Sequence, residues 1–136
     1  AGHSAGGHLA ARLICTNTTL SKDVLSRIRN VIPISGLHDL RPMLRTELNE
    51  TLRIDIEEAH TESPVLVEPM ANTRLCCWVG AAERSEFVRQ NALLANVWTG
   101  LGATTMVVEE PDRHHFNVID GLADPDHALT QTLLTG

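Results

Sequence analysis

Near its start the chain reads Gly2-His3-Ser4-Ala5-Gly6, with the apolar, alanine-rich stretch from Leu9 to Cys15 behind it. A Gly-x-Ser-x-Gly run opening a helix constrains the backbone more than any other feature of this sequence. The chain has to reverse from strand to helix within a few residues. That holds the serine in a strained conformation and projects its hydroxyl above a sheet. Glycines are expected on both sides because a β-carbon would collide with the crowded turn. The helix then presents its N-terminus, and the backbone N–H of Ala5 is the expected oxyanion donor. A glycine-rich turn that merely contains a serine is the plainer reading. Gly7 and the helix that follows favour the elbow.

Beyond the elbow, apolar periodicity and turn residues divide the chain into alternating elements. Lys22 to Arg29 reads as a short helix, and Val31-Ile32-Pro33-Ile34 as a short buried strand ended by Ser35-Gly36. The proline counts against a central strand but is tolerable near a strand start. From Asp39 to Glu57, the residues Leu40, Met43, Leu44, Leu48, Leu52, Ile54 and Ile56 recur at helical spacing. One or two amphipathic helices are expected there, interrupted near Pro42 and Asn49. Ser63-Pro64 marks a turn. Arg74 to Val79 is a strand closed by Gly80, Glu86 to Trp98 a helix punctuated by Gly100 and Gly102, and Ala103 to Val108 a β-branched strand. Pro111 to His115 is a loop. Asn117 to Leu122 and Asp126 to Leu134 are helical, with Asp126 as N-cap.

Strands alternating with helices predict an α/β fold, a parallel sheet flanked by helices on both faces. A right-handed crossover needs a strand to seat the helix after Ser4, and that strand is expected before residue 1. The N-terminal strands of the fold are therefore expected to be missing from residues 1–136. Those residues read as one partial domain with a cap-like helical insertion at about 39–57.

A formal net charge of −6 and scattered arginines argue against a nucleic-acid partner. No basic run precedes an apolar stretch, and no apolar run is long enough for a transmembrane helix. Three cysteines, Cys15, Cys76 and Cys77, form no disulfide framework and read as reduced, buried thiols of a cytoplasmic protein.

Serine is a poor nucleophile without a base. Of seven histidines, His114 and His115 lie in the loop after the last strand, where the order serine, acid, histidine would place the base. Phe116 could anchor that loop in the core. His3 and His8 belong to the elbow and support it. No third ligand stands near His114 and His115, so no metal site is expected. The acid should follow the preceding strand, where Gly80-Ala81-Ala82 leads to Glu83; Glu86 is its local rival and Asp112 a weaker one. Its role would be to fix the imidazole tautomer and stabilise the imidazolium.

These stretches resemble the kynurenine formamidase (arylformamidase) branch of the α/β hydrolases and related small esterases. Gly2-His3-Ser4-Ala5-Gly6-Gly7-His8-Leu9 is similar to that branch's elbow. Ser35-Gly36-Leu37-His38-Asp39-Leu40, then Leu48-Asn49 and Ser63-Pro64, look like its segment after the sixth strand. Glu83-Arg84-Ser85-Glu86-Phe87-Val88-Arg89-Gln90 resembles its acid loop, where aspartate is usual, and His115-Phe116-Asn117-Val118 its histidine loop.

The resemblance implies the C-terminal part of an α/β-hydrolase fold. It assigns Ser4 as nucleophile, His115 rather than His114 as general base and acid, and Glu83 rather than Glu86 as orienting carboxylate. In that branch a His-Gly-Gly stretch upstream of the elbow adds oxyanion donors. The implied substrate is a small ester or an aryl formamide, with no metal or organic cofactor and a homodimer left open. A carboxylesterase without formamidase activity and an inactive truncated scaffold are the alternatives.

Overall fold

The computed structural model describes residues 1–135. In chain order the elements are β1 (Gly2–His3), α1 (Ala5–Arg12), α2 (Lys22–Leu25), β2 (Pro33–Ile34), α3 (Asn49–Leu52), α4 (Ile56–Thr61), β3 (Arg74–Gly80), α5 (Ser85–Gly100), β4 (Thr104–Glu110) and α6 (Ala128–Thr135). Short 3₁₀ turns at Arg41–Arg45, Pro64–Leu66 and Val118–Ala123 join them. The four strands form one parallel sheet in the order β1-β2-β3-β4.

The pleat of β3 shows why this stretch is apolar throughout. Leu75 and Cys77 point to one face, packing with Val31 against Ala11 and Ile14 on the α1 side and Leu94, Ala95 and Trp98 of α5. Cys76 and Trp78 point to the other, packing with Ile32 and Ile34 against Val118 and Leu129 of α6. A strand covered on both faces has no polar side to alternate with.

Pro33 is the first residue of β2, the start position at which a proline is tolerable, although β2 itself lies between β1 and β3. The N–H groups of Val31 and Ser35 donate to the carbonyls of Arg74 (3.1 Å) and Trp78 (2.7 Å). Midway between them Pro33 has no N–H to give, so one rung of the β2–β3 ladder is absent.

Several boundaries differ from expectation. The strand expected to precede residue 1 reaches into the chain as Gly2–His3, pairing with Pro33–Ile34. Helix α1 begins at Ala5, because it grows directly out of the elbow, and ends at Arg12 rather than Cys15. Residues 118–123 form a 3₁₀ turn and not an α-helix. Asp126 does not cap α6; the N–H of Leu129 donates to His127 Nδ1 at 3.1 Å. Phe116 is 82% exposed, and Val118, fully buried, is what anchors the histidine loop.

Residues 39–57 are helical in pieces. Leu40 and Met43 pack on Ala59, with Leu37, Leu44 and Ile54 alongside. Leu48, Leu52 and Ile56 remain exposed, so the expected apolar stripe is only half covered. An Asp55–Glu58 capping box starts α4.

Candidate active site

Ser4 lies between β1 and α1 at φ 55°, ψ −117°, a backbone region that side-chain-bearing residues rarely adopt. Such a conformation costs about 1–3 kcal/mol and persists only when its surroundings enforce it. Here they do. The Ser4 N–H donates to the Ile34 carbonyl at 2.9 Å, and the Ser4 carbonyl accepts from Gly7 and His8 at 2.9 and 3.1 Å. Gly2 is a steric necessity, since a β-carbon there would lie 2.1 Å from the Gly6 carbonyl oxygen. The same expectation fails at Gly6, where a β-carbon would meet nothing within 4 Å.

The expected trio converges at the C-terminal ends of the strands. The Ser4 hydroxyl and Nε2 of His115 stand 3.1 Å apart. Nδ1 of His115 is 2.7 Å from Oε2 of Glu83. The Glu83 side chain is fully buried, while that of His115 keeps 20% of its surface open. The other Glu83 oxygen, Oε1, accepts the Gly80 N–H at 2.9 Å and the Ser35 hydroxyl. With the carboxylate acting as acceptor, Nδ1 of His115 is the donor to Glu83, and Nε2 is the ring nitrogen that faces the serine hydroxyl.

Three features hold the histidine. His3 donates from Nε2 to the His115 carbonyl at 2.8 Å, so the residue before the serine does support the site. The Phe87 ring lies 4.3 Å from the imidazole, centroid to centroid. The tip of β3 meets the histidine loop so closely that a β-carbon on Gly80 would lie 2.3 Å from the Arg113 carbonyl oxygen, and the Ala82 N–H donates to that oxygen at 2.9 Å.

The rivals stand elsewhere. Glu86 is bound to Arg89 by two hydrogen bonds of 2.8 and 2.7 Å, which hold its carboxyl below the usual range. Asp112 is exposed and turns the loop at φ 60°. His114 is exposed, with Nδ1 accepting the Phe116 N–H at 3.1 Å. His8 donates from Nδ1 to the Leu37 carbonyl at 2.7 Å, and burial lowers its pKa.

Among the described residues no group of three or more His, Cys, Asp or Glu could hold a metal ion. No helix of the described residues is long and apolar enough to cross a membrane. Cys15, Cys76 and Cys77 are free and buried. A concavity lined by Asn30, Thr73 and Arg74 opens at the opposite, N-terminal ends of the strands. Ligands of open α/β sheets bind at the carboxyl ends, where Ser4 and His115 are.

No family model matches the chain. A kynurenine formamidase of Salmo salar is 33% identical over 139 residues, covering 98% of this chain and 47% of that protein. A solved structure from Silicibacter sp. tm1040, described provisionally as a thioesterase, superposes with a TM-score of 0.89 at 44% identity, over 98% of this chain and 48% of that one. Esterase 2 of Thermogutta terrifontis superposes at 0.59 and 21% identity, over 98% of this chain and 50% of its own.

The fold is that of an α/β hydrolase. The chain spans about half the length of the curated relatives it matches. In this fold the Ser4 turn, the Glu83 loop and the His115 loop follow β1, β3 and β4 in turn. Parallel strands bring all three to one edge.

Residue-by-residue reading of the sequence missed Ser35. It sits at the end of a strand, and its partner Glu83 is 48 residues away. No local pattern signals such a contact.

Proposed function

We propose that the chain carries the reacting groups of a serine hydrolase that cleaves an aryl formamide or a small carboxylic ester through an acyl-enzyme. The observation that carries this is the hydrogen-bonded series Ser4 Oγ, His115 Nε2, His115 Nδ1, Glu83 Oε2, with the serine strained at a strand-to-helix turn. Ser4 attacks the carbonyl carbon while His115 accepts its proton. The tetrahedral oxyanion is met by the N–H of Ala5, in the first turn of α1, where no intrahelical partner competes for it. His115 then gives its proton to the leaving amine or alcohol. Water, deprotonated by the same imidazole, releases the acid. Glu83 keeps the imidazole in the Nδ1–H tautomer and stabilises the charged ring between the two transfers.

Likeness to a kynurenine formamidase favours a formyl group as acyl and an arylamine as leaving group. Phe87, its ring tilted against that of His115, supplies an apolar wall beside the base. Residues 39–57 would cap the pocket. Three buried free thiols fit a reducing compartment, and we place the protein in the cytoplasm.

The second reading is an esterase or thioesterase with no formamidase activity, supported by the 44% identical structure. Turnover of N-formylkynurenine, a p-nitrophenyl ester and an acyl thioester by the full-length protein separates the two. Retained activity in Ser4→Ala would refute both. Failure of a fluorophosphonate probe to label Ser4 would point to an inactive scaffold.

A further inference from the structure

Ser35 follows β2, is wholly buried, and sits at φ 49° in the left-handed region. Glycine would occupy that backbone without strain, so the serine must be there for its side chain. The turn has no freedom to relax. A β-carbon on Gly36 would lie 2.5 Å from Cε1 of His38, and one on Gly7 would lie 2.8 Å from the Gly36 Cα. The turn is therefore clamped between α1 and the buried His38 ring. The Ser35 N–H is also tied to β3 through the Trp78 carbonyl at 2.7 Å.

From this fixed position the Ser35 hydroxyl donates to Oε1 of Glu83, which also accepts the Gly80 N–H. The second oxygen, Oε2, faces His115. A glutamate has one more rotatable bond than the aspartate usual in such loops, so its carboxylate can swing where an aspartate's cannot. The Gly80 N–H restrains it only from three residues away on its own loop. Ser35 restrains it from the neighbouring strand.

We propose that Ser35 is a positioning residue for the hydrolysis: its hydroxyl holds one oxygen of Glu83 so that the other stays on His115. This rests on the Ser4, His115 and Glu83 roles given above.

The test is Ser35→Gly in the full-length protein, a change that relieves the left-handed backbone and removes only the hydroxymethyl group. Active sites are titrated with a fluorophosphonate so that kcat is counted per functional molecule. We expect kcat to fall roughly 10- to 100-fold with KM changed less than about twofold, the size of effect that a misplaced catalytic group produces. The downfield proton resonance of the His115 Nδ1–H should shift or broaden as well. A purely structural serine would not move that signal or split kcat from KM.

Ser35→Ala is the second variant should Ser35→Gly fold poorly. Wild-type kcat per active site together with an unchanged resonance in either one overturns the proposal. So does a loss of folded protein in both variants with kcat per active site intact. Ser4→Ala, run in the same assay, keeps the two failures apart. Activity surviving there sinks the serine-hydrolase reading, whereas a dead Ser4→Ala beside a fully active Ser35→Gly sinks the Ser35 assignment alone.

Discussion

Lowering the pH from 7 to 5 should destabilise this protein through one wholly buried histidine. The His38 ring is wholly buried, and neither ring nitrogen has a hydrogen-bond partner in the described structure. Beside it the Asn91 side-chain oxygen is likewise unpartnered. Burial is the main cause that pushes the His38 pKa down from 6.5 to about 3, with the neighbouring His8 adding to it. The folded value lies below the unfolded one, so the unfolded chain binds more protons in between. The stability is present in full above pH 6.5 and is lost progressively as pH falls toward 3.

At 1.36 kcal/mol per pH unit, about 2 kcal/mol should be lost between pH 7 and 5 from His38 alone. His8, lowered by burial, acts in the same direction. The depressed carboxylates Asp39 and Glu86 act only at lower pH, below their ordinary range near 4. Urea unfolding at half-unit steps from pH 7.5 to 4.5 measures the slope. His38→Leu removes the titrating ring, and whatever its own stability, its loss between pH 7 and 5 should be smaller than the wild type's by about 2 kcal/mol. Parallel curves for the two proteins would refute the reasoning.

Other expectations come from the site and its supports. Glu83→Gln should lower kcat by roughly 10²- to 10⁴-fold at similar KM, while Glu86→Gln, which weakens the bonds from Arg89 and the Gln90 amide and touches neither Ser4 nor His115, should stay within a few-fold; steady-state kinetics on both decides the acid. Gly2→Ala should cost more than about 3 kcal/mol, because its β-carbon would overlap the Gly6 carbonyl, whereas Gly6→Ala should be neutral or gain up to about 1 kcal/mol of helix propensity, as thermal melts would show. Phe116→Ala should change stability by less than about 0.5 kcal/mol and Val118→Ala should cost about 2 kcal/mol, since exposure and not size separates them.

What could be read in advance divides along a physical line. The elbow was legible because steric crowding forces a local pattern, and β3 and α5 were legible because burial imposes period and composition over seven or more residues, whereas β4, none of whose residues is buried, was legible from its β-branched composition. The misplacements fall where the deciding partner is distant. Nothing near Phe116 says that its ring stands in the open while Val118 is drawn under α6. Ser35 is the extreme case. Its left-handed backbone is set by Gly36, His38 and α1 together, and its contact with Glu83 exists only once β2 and β3 have paired.

The same dependence explains why the three candidate reacting groups need so little sequence to specify them. In a parallel sheet every strand delivers its C-terminal end to one edge, so a serine, an acid and a histidine placed just after the ends of β1, β3 and β4 are brought to the same edge before any side chain is chosen. Side-chain chemistry then has only the last few ångströms to settle. For His115 that distance is settled by His3 and Phe87. For Glu83 it is settled by donors on Gly80 and Ser35. An α/β hydrolase with aspartate at the acid position would place its carboxylate one methylene farther back. The extra length at Glu83 is compatible with the 2.7 Å contact to His115 because that carboxylate is restrained from two strands and not one.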